Sequence, residues 1–276
     1  MSIILTMNNK GGVGKTTLAG ETAAGFELLL RRRVRGVDLD AGALQLGGHT
    51  YRSGGSFVDW RRRRPETSRL RFPVTQPAEL VPCEEFLQSD ADGEQDVLVL
   101  DGPIALSPQT VHALVAADLV LVPVQPSVAD LQATTNLVAP AEGGGPSLLA
   151  IINEERRLRR LRPQRVLAVL NRVAPNPLNQ ERRQCAELAR EGALEVAPCL
   201  LTERVGYRRA YAAGESVLTH APWDRPAHEV AQLIATVERA LRGATAEELA
   251  AAIERAAPGH EPHQVLQAMG VDAHAA

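Results

Sequence analysis

The chain has 276 residues, long enough for one large α/β domain or two small ones with a sizeable buried core. An apolar share of 45%, few aromatics and a formal charge of −3 give no overall basic surplus, so any nucleic-acid or membrane role must rest on local patches. Cys83, Cys185 and Cys199 are odd in number and lack CxxC spacing, which argues against a disulfide framework or a four-thiolate metal site.

In chain order, short aliphatic runs alternate with longer helical patterns, which predicts βα units and a mostly parallel, twisted sheet with helices on both faces. Strands are expected over residues 3–7, 34–37, 97–100, 119–124, 166–170 and 196–200. Most are continuous apolar runs, as strands covered on both faces should be. Helices are expected over about 16–30, 77–88, 108–116, 130–138, 148–161, 179–191 and 227–241. Residues 41–55, rich in Gly and without periodicity, read as a mobile loop. Residues 141–147, around Gly143-Gly144-Gly145-Pro146, read as a flexible break. One domain over 1–242 and a short helical tail over 243–276 account for the whole chain. No signal-peptide pattern follows Met1 and no apolar run approaches the ~20 residues of a membrane span, so a cytoplasmic protein is expected.

The first strand runs directly into Asn9-Lys10-Gly11-Gly12-Val13-Gly14-Lys15-Thr16-Thr17, followed by a helix. Strand, glycine-rich turn and helix form the arrangement that cradles phosphate, the phosphate-binding loop of nucleotide triphosphatases. The glycines let backbone N–H groups face phosphate oxygens, and the helix adds its positive N-terminal end. Lys15 suits the β- and γ-phosphates of a nucleotide, and the Thr16 hydroxyl suits Mg²⁺. The strict G-x-x-x-x-G-K-[ST] pattern requires glycine at position 9 and meets Asn9, leaving the narrower Lys-Gly-Gly-x-Gly-Lys-Thr-Thr. Lys10 and Lys15 are the only lysines in the chain; every other basic side chain except histidine is arginine. Their retention suits sites that need a compact ammonium where the wide guanidinium fork would not fit. Asp38 and Asp40 end the second strand, and Asp101 ends the run Val97-Leu98-Val99-Leu100 before the turn Gly102-Pro103.

The lysine before the double glycine resembles the deviant phosphate loop of the ParA/MinD family of ATPases, and the likeness covers roughly residues 1–240. Ala117-Asp118-Leu119-Val120-Leu121-Val122-Pro123-Val124-Gln125-Pro126 is similar to the family's fourth-strand segment. Val169-Leu170-Asn171-Arg172-Val173 resembles its adenine-recognition strand end. Gly55-Ser56-Phe57-Val58-Asp59-Trp60 resembles a segment after switch I in small ParA-type partition proteins. The resemblance implies the P-loop NTPase fold, with ATP and Mg²⁺ as cofactors. It implies that Lys10 crosses a dimer interface to the partner's nucleotide, and that Gly11, Gly12, Val13, Gly14, Lys15, Thr16 and Thr17 hold phosphates. Thr16, Asp38 and Asp101 would serve the metal, Asp40 would orient the attacking water, and Asn171 would bind adenine. The sequence departs from the family where Ala41-Gly42 replaces the usual Pro-Gln and where the stretch from Asp40 to Trp60 is longer.

Arginines cluster at several places, each read by default as a solvated helix face. In partition-type members, basic residues in the last third of the domain bind DNA nonspecifically once ATP has closed the dimer. Arg182, Arg183, Arg204, Arg208 and Arg209 occupy that region here. The leading expectation is therefore a slow, partner-stimulated ATPase that dimerises with ATP and binds nonspecific duplex DNA on the nucleoid. It would position a plasmid, a chromosome origin or a protein assembly, with a ParB-like or adaptor protein as stimulator. A MinD-like membrane-cycling ATPase needs a basic amphipathic helix at its end, but residues 261–276 hold no Lys or Arg. A metabolic or metallocluster relative fits less well, because the cysteines are not placed to bridge a cluster and a ligase would not carry Lys10.

Overall fold

The computed structural model describes residues 1–40, 43–46, 49–52, 56–76, 95–104, 107–127, 144–174, 195–256 and 261–271, with backbone alone for 43–46 and 49–52. The strands are β1 Ser2–Thr6, β2 Val34–Asp38, β3 Ala43–Leu46, β4 His49–Arg52, β5 Val74–Thr75, β6 Val97–Asp101, β7 Leu119–Val124, β8 Arg165–Val173 and β9 Glu195–Thr202. The helices are α1 Lys15–Leu29, α2 Ser56–Arg62, α3 Pro108–Ala116, α4 Leu148–Leu158, α5 Val205–Ala212, α6 Val217–His220, α7 Arg225–Leu241, α8 Ala246–Arg255 and α9 Pro262–Ala268. Among the described residues, seven strands form one parallel sheet in the order β5-β2-β6-β1-β7-β8-β9. The expected helices over 77–88, 130–138 and 179–191 lie outside the described residues.

The continuous apolar strands divide their side chains between two cores. Ile4, Val97, Val99, Leu119, Leu121, Leu167 and Val169 enter one core, which α1, α2 and α7 cover. Ile3, Leu5, Leu98, Leu100, Val120, Val122, Val166 and Ala168 enter the other, against α3 and α4. Successive strand residues point to opposite faces, so a sheet covered on both sides requires apolar residues without alternation. Each such side chain, once buried, contributes roughly 1.5–3 kcal/mol. Helix α1 is buried on nearly every side, which explains why its sequence shows no clean apolar stripe. At Gly25 the backbone of α1 approaches α7 so closely that a Cβ would stand 2.2 Å from Ile234 Cγ1.

Of the stripe Val230, Leu233, Ile234, Val237 and Leu241 on α7, whose helical spacing predicts core, the first four are fully buried and Leu241 is partly buried against the same core. Leu249 and Ala252 of α8 and Val265 and Leu266 of α9 join the same core. One expectation fails. The stretch over 41–55 is not wholly a loop, because β3 and β4 pair antiparallel across it, from Ala43↔Arg52 to Leu46↔His49. Backbone hydrogen bonding between two four-residue segments, which side-chain periodicity does not report, accounts for the difference. Helix α2, only seven residues long, and the two-residue strand β5 are also too short for a periodic signal. Among the described residues, no helix is long and apolar enough to cross a membrane.

Candidate functional site

Parallel pairing sets the site before any side chain is placed. Thr6 of β1 and Asp38 of β2 both stand in register with Asp101 of β6. Three strand ends therefore bring a hydroxyl and two carboxylates to the carboxyl edge of the sheet, where open α/β sheets bind ligands. Thr6 Oγ1 donates to the Leu100 carbonyl at 3.2 Å and lies 3.4 Å from Asp101 Oδ1.

The turn after β1 closes over this edge. Gly12 and Gly14 take positive φ values of 75° and 95°, a region that glycine enters without steric cost. Gly14 caps α1 in the left-handed conformation and no side chain caps that helix end, so the first-turn N–H groups remain available to an anion. Other parts of the fold brace the loop. Asn8 Oδ1 accepts the Lys10 N–H at 2.9 Å, while Asn8 Nδ2 donates to the Pro123 carbonyl at 2.8 Å. Asn171 Nδ2 donates to the Val13 carbonyl at 2.7 Å, and Gln125 Nε2 reaches the Gly12 carbonyl at 3.4 Å.

The two lysines are placed differently. Lys15 is buried, its Nζ donating to the Lys10 carbonyl at 3.2 Å, and burial holds its pKa below the ordinary lysine value despite nearby Asp101 and Asp40. Lys10 has an exposed side chain. Asp101 is buried, and desolvation raises its carboxyl to about 8, with Asp38 and Asp40 adding like charge. Its Oδ2 is buried and has no hydrogen-bond partner. Asp38 is also raised by burial, although its carboxylate accepts the N–H groups of Asp40 at 3.1 Å and of Phe57 and Val58 at 2.9 Å. Asp40 is raised as well, first by desolvation, with Lys15 pulling it back.

This set of residues fits a hydrated divalent cation carried with a phosphate. Crowded carboxylates share Lys15 as a nearby cation, Asp101 Oδ2 is buried without a hydrogen-bond partner, and Thr16 stands beside them. Among the described residues, no group of three or more His, Cys, Asp or Glu forms a protein-only cage. Mg²⁺ commonly binds through one or two protein groups plus substrate phosphates, which suits such a site. A cleft of about 540 Å³ opens beside the loop, lined by Gly14, Lys15, Thr16, Thr17, Asp40 and Asn171 among others. It is large enough for a nucleotide.

The structure thus brings together Lys10 to Thr17, Asp38, Asp40, Asp101 and Asn171. Arg204 and Arg208 line the same cleft, with Arg204 Nε donating to Thr202 Oγ1 at 2.7 Å and lying 3.7 Å from Glu229. Arg209 borders an adjoining recess with His220 and Arg225. Arg182 and Arg183 lie outside the described residues. Sequence reading missed Thr6, Asn8, Ser56, Tyr207 and Tyr211. Ser56 Oγ lies 2.8 Å from Thr16 Oγ1. Its only sequence signal was the segment Gly55 to Trp60, which carried a resemblance but no assigned role.

Comparisons with known proteins identify the family and the fold. A family described as ATPase MipZ matches residues 2–243. The chromosome-partitioning ATPase Soj of Thermus thermophilus is 29% identical over 246 residues, covering 83% of this chain and 92% of that protein. The maintenance of carboxysome distribution protein A of Halothiobacillus neapolitanus is 32% identical over 137 residues, covering 49% of this chain and 56% of that protein. The solved MinD cell division protein of Aquifex aeolicus shares the fold, with a TM-score of 0.58 and 15% identity over 89% of this chain and 99% of that one. The chain therefore belongs to the ATPase MipZ family, within the ParA/MinD class of P-loop ATPases.

Proposed function

We propose that the chain binds ATP with Mg²⁺ in the cleft at the end of β1, dimerises around the nucleotide, and binds duplex DNA nonspecifically while it positions a cargo. The observation that carries this reading is the division of labour between the two lysines. Lys15 lies buried under the loop among Asp101 and Asp40, where it serves the nucleotide of its own subunit. Lys10 stands exposed on the outer surface of the same loop, where it can reach a nucleotide held by a second copy. The bound metal supplies charge neutralisation at the phosphate oxygens. The residues of the chain do the rest. First-turn N–H groups of α1 and Lys15 hold the phosphates, Thr16 and Asp101 orient the metal, Asp38 fixes the metal's surroundings, and Asp40 positions water. Asn171, tied to Val13, binds the adenine ring.

The relatives support a positioning role: one is a chromosome-partitioning ATPase and another maintains carboxysome distribution. For this chain the DNA contacts fall to exposed Arg208 and Arg209, with Arg204 beside them, and to Arg182 and Arg183. A dimer doubles that patch, so a net acidic chain still gains a salt-dependent hold on phosphates. Hydrolysis is slow alone and is accelerated by a ParB-like or adaptor protein. The site of action is the nucleoid, with residues 1–242 as the ATPase domain and 243–276 as its helical tail.

The decisive experiment is sedimentation with nonspecific duplex DNA, in ATP and in ADP, across a salt series. DNA binding that requires ATP and falls with salt is the expected result. Binding that ignores the nucleotide, or none at all, sinks the DNA role. Lys15→Ala is expected to abolish nucleotide binding, and tight ATP binding by that variant would overturn the assignment of the site.

A further inference from the structure

The hydroxyl of Ser56 has no place in the functions assigned above, yet it lies 2.8 Å from the Thr16 hydroxyl that the MgATP reading gives to the metal. The buried Asp101 carboxylate lies nearby, and the Thr16 hydroxyl draws its pKa down against the larger effect of burial. A hydroxyl carries one proton and two lone pairs. Either hydroxyl can donate in this pair; with Ser56 as donor, Thr16 accepts on one lone pair and keeps the other for a metal. The Ser56–Thr16 contact therefore restrains the direction in which the metal-binding oxygen faces.

The simpler account is that Ser56 serves only the start of α2. That end is already satisfied, because Asp38 Oδ2 accepts both the Phe57 and Val58 N–H groups. The Ser56 main chain is held as well. Tyr211 Oη donates to the Ser56 carbonyl at 3.3 Å, and the Arg63 guanidinium lies 5.0 Å from the centre of the Tyr211 ring. Trp60 Nε1, one turn further along α2, donates to the Glu215 carbonyl at 3.3 Å. Asp38, Trp60 and Tyr211 fix the backbone from three sides and leave the Ser56 hydroxyl to Thr16.

We propose that Ser56 is a positioning residue of the metal site, holding the Thr16 hydroxyl in the orientation that receives Mg²⁺. The proposal rests on the MgATP reading. Groups that orient a metal ligand from behind typically cost 10–100-fold in metal affinity when removed.

The test measures Mn²⁺ binding by electron paramagnetic resonance in saturating ADP, alongside ADP binding in EDTA. It compares the wild type, Ser56→Ala and Ser56→Thr. Ser56→Ala is expected to weaken Mn²⁺ about tenfold or more while metal-free ADP affinity stays within about twofold, and Ser56→Thr to restore the metal. Unchanged Mn²⁺ affinity in Ser56→Ala overturns the proposal while leaving the nucleotide reading intact. An equal loss of metal-free ADP binding also overturns it, since the role would then be structural. A wild type that binds no nucleotide removes the MgATP reading, and this proposal falls with it. If Ser56→Ala does not fold, Ser56→Cys keeps the volume with a much weaker donor and is held to the same two outcomes.

Discussion

At Gly14 two constraints meet: its φ is 95°, and a Cβ there would stand 2.3 Å from Asn171 Nδ2. Gly14→Ala is expected to cost about 1–3 kcal/mol of stability from the backbone conformation. It is also expected to break the Asn171–Val13 tie, so ADP affinity should fall along with the denaturation midpoint. ADP affinity like that of the wild type would show that the loop tolerates another conformation. The phosphate loop was legible in sequence because its chemistry is written in residue type. Glycines, a lysine and a threonine at fixed spacing leave little else for the turn to do. Its braces were not legible. Asn8 meets Pro123, Gln125 meets Gly12 and Asn171 meets Val13 across more than a hundred residues of chain, and no local pattern encodes such pairings. Thr6 was hidden for another reason, since it reads as one more β-former within an apolar strand.

At the scale of elements, α2 is the piece on which several parts converge. Beyond it Arg64 is buried, donating through Nη1 to the Phe72 carbonyl and lying over the Trp60 and Phe72 rings at 4.8 and 4.4 Å. Arg64→Leu is expected to lower stability by on the order of 2–3 kcal/mol in chemical denaturation. Arg64→Lys should not restore it, because an ammonium lacks the planar fork. Full stability in Arg64→Lys would show that charge alone matters. Helix α1 is tied to α6 by Glu21, whose buried carboxylate accepts Ser216 Oγ and the Val217 N–H. Burial raises that carboxyl from 4.5 to about 7. The fold thus favours the protonated acid, so the contribution is whole below the unfolded pKa and is lost as pH rises through about 7, a change on the order of 3 kcal/mol. Glu21→Gln keeps the Val217 N–H on its Oε1 and reverses the other bond, its Nε2 donating to Ser216 Oγ, and is expected to flatten the fall in thermal midpoint between about pH 5 and 8. An unchanged slope would place the titration elsewhere. None of this was legible beforehand, since the sequence of α1 shows a glutamate in a helix and not the helix that will cover it.

For the whole molecule, the order of elements was legible further than any single contact. Strands buried on both faces must be apolar throughout, so six of the nine strands among the described residues announce themselves; β3, β4 and β5 are too short to do so. Lys10→Ala is expected to retain ATP binding yet lose ATP-dependent dimerisation in light scattering, and a dimer that persists would assign the exposed lysine another duty. The sheet itself has a consequence for how copies can meet. Among the described residues its outer strands are β5, only two residues long, and β9, which carries Pro198 and packs against α8. Short, proline-bearing or covered margins offer poor templates for a foreign strand. Growth by strand addition is thereby discouraged at both margins of the described sheet, and on the reading proposed above self-association falls to the phosphate-loop surface, under control of the nucleotide.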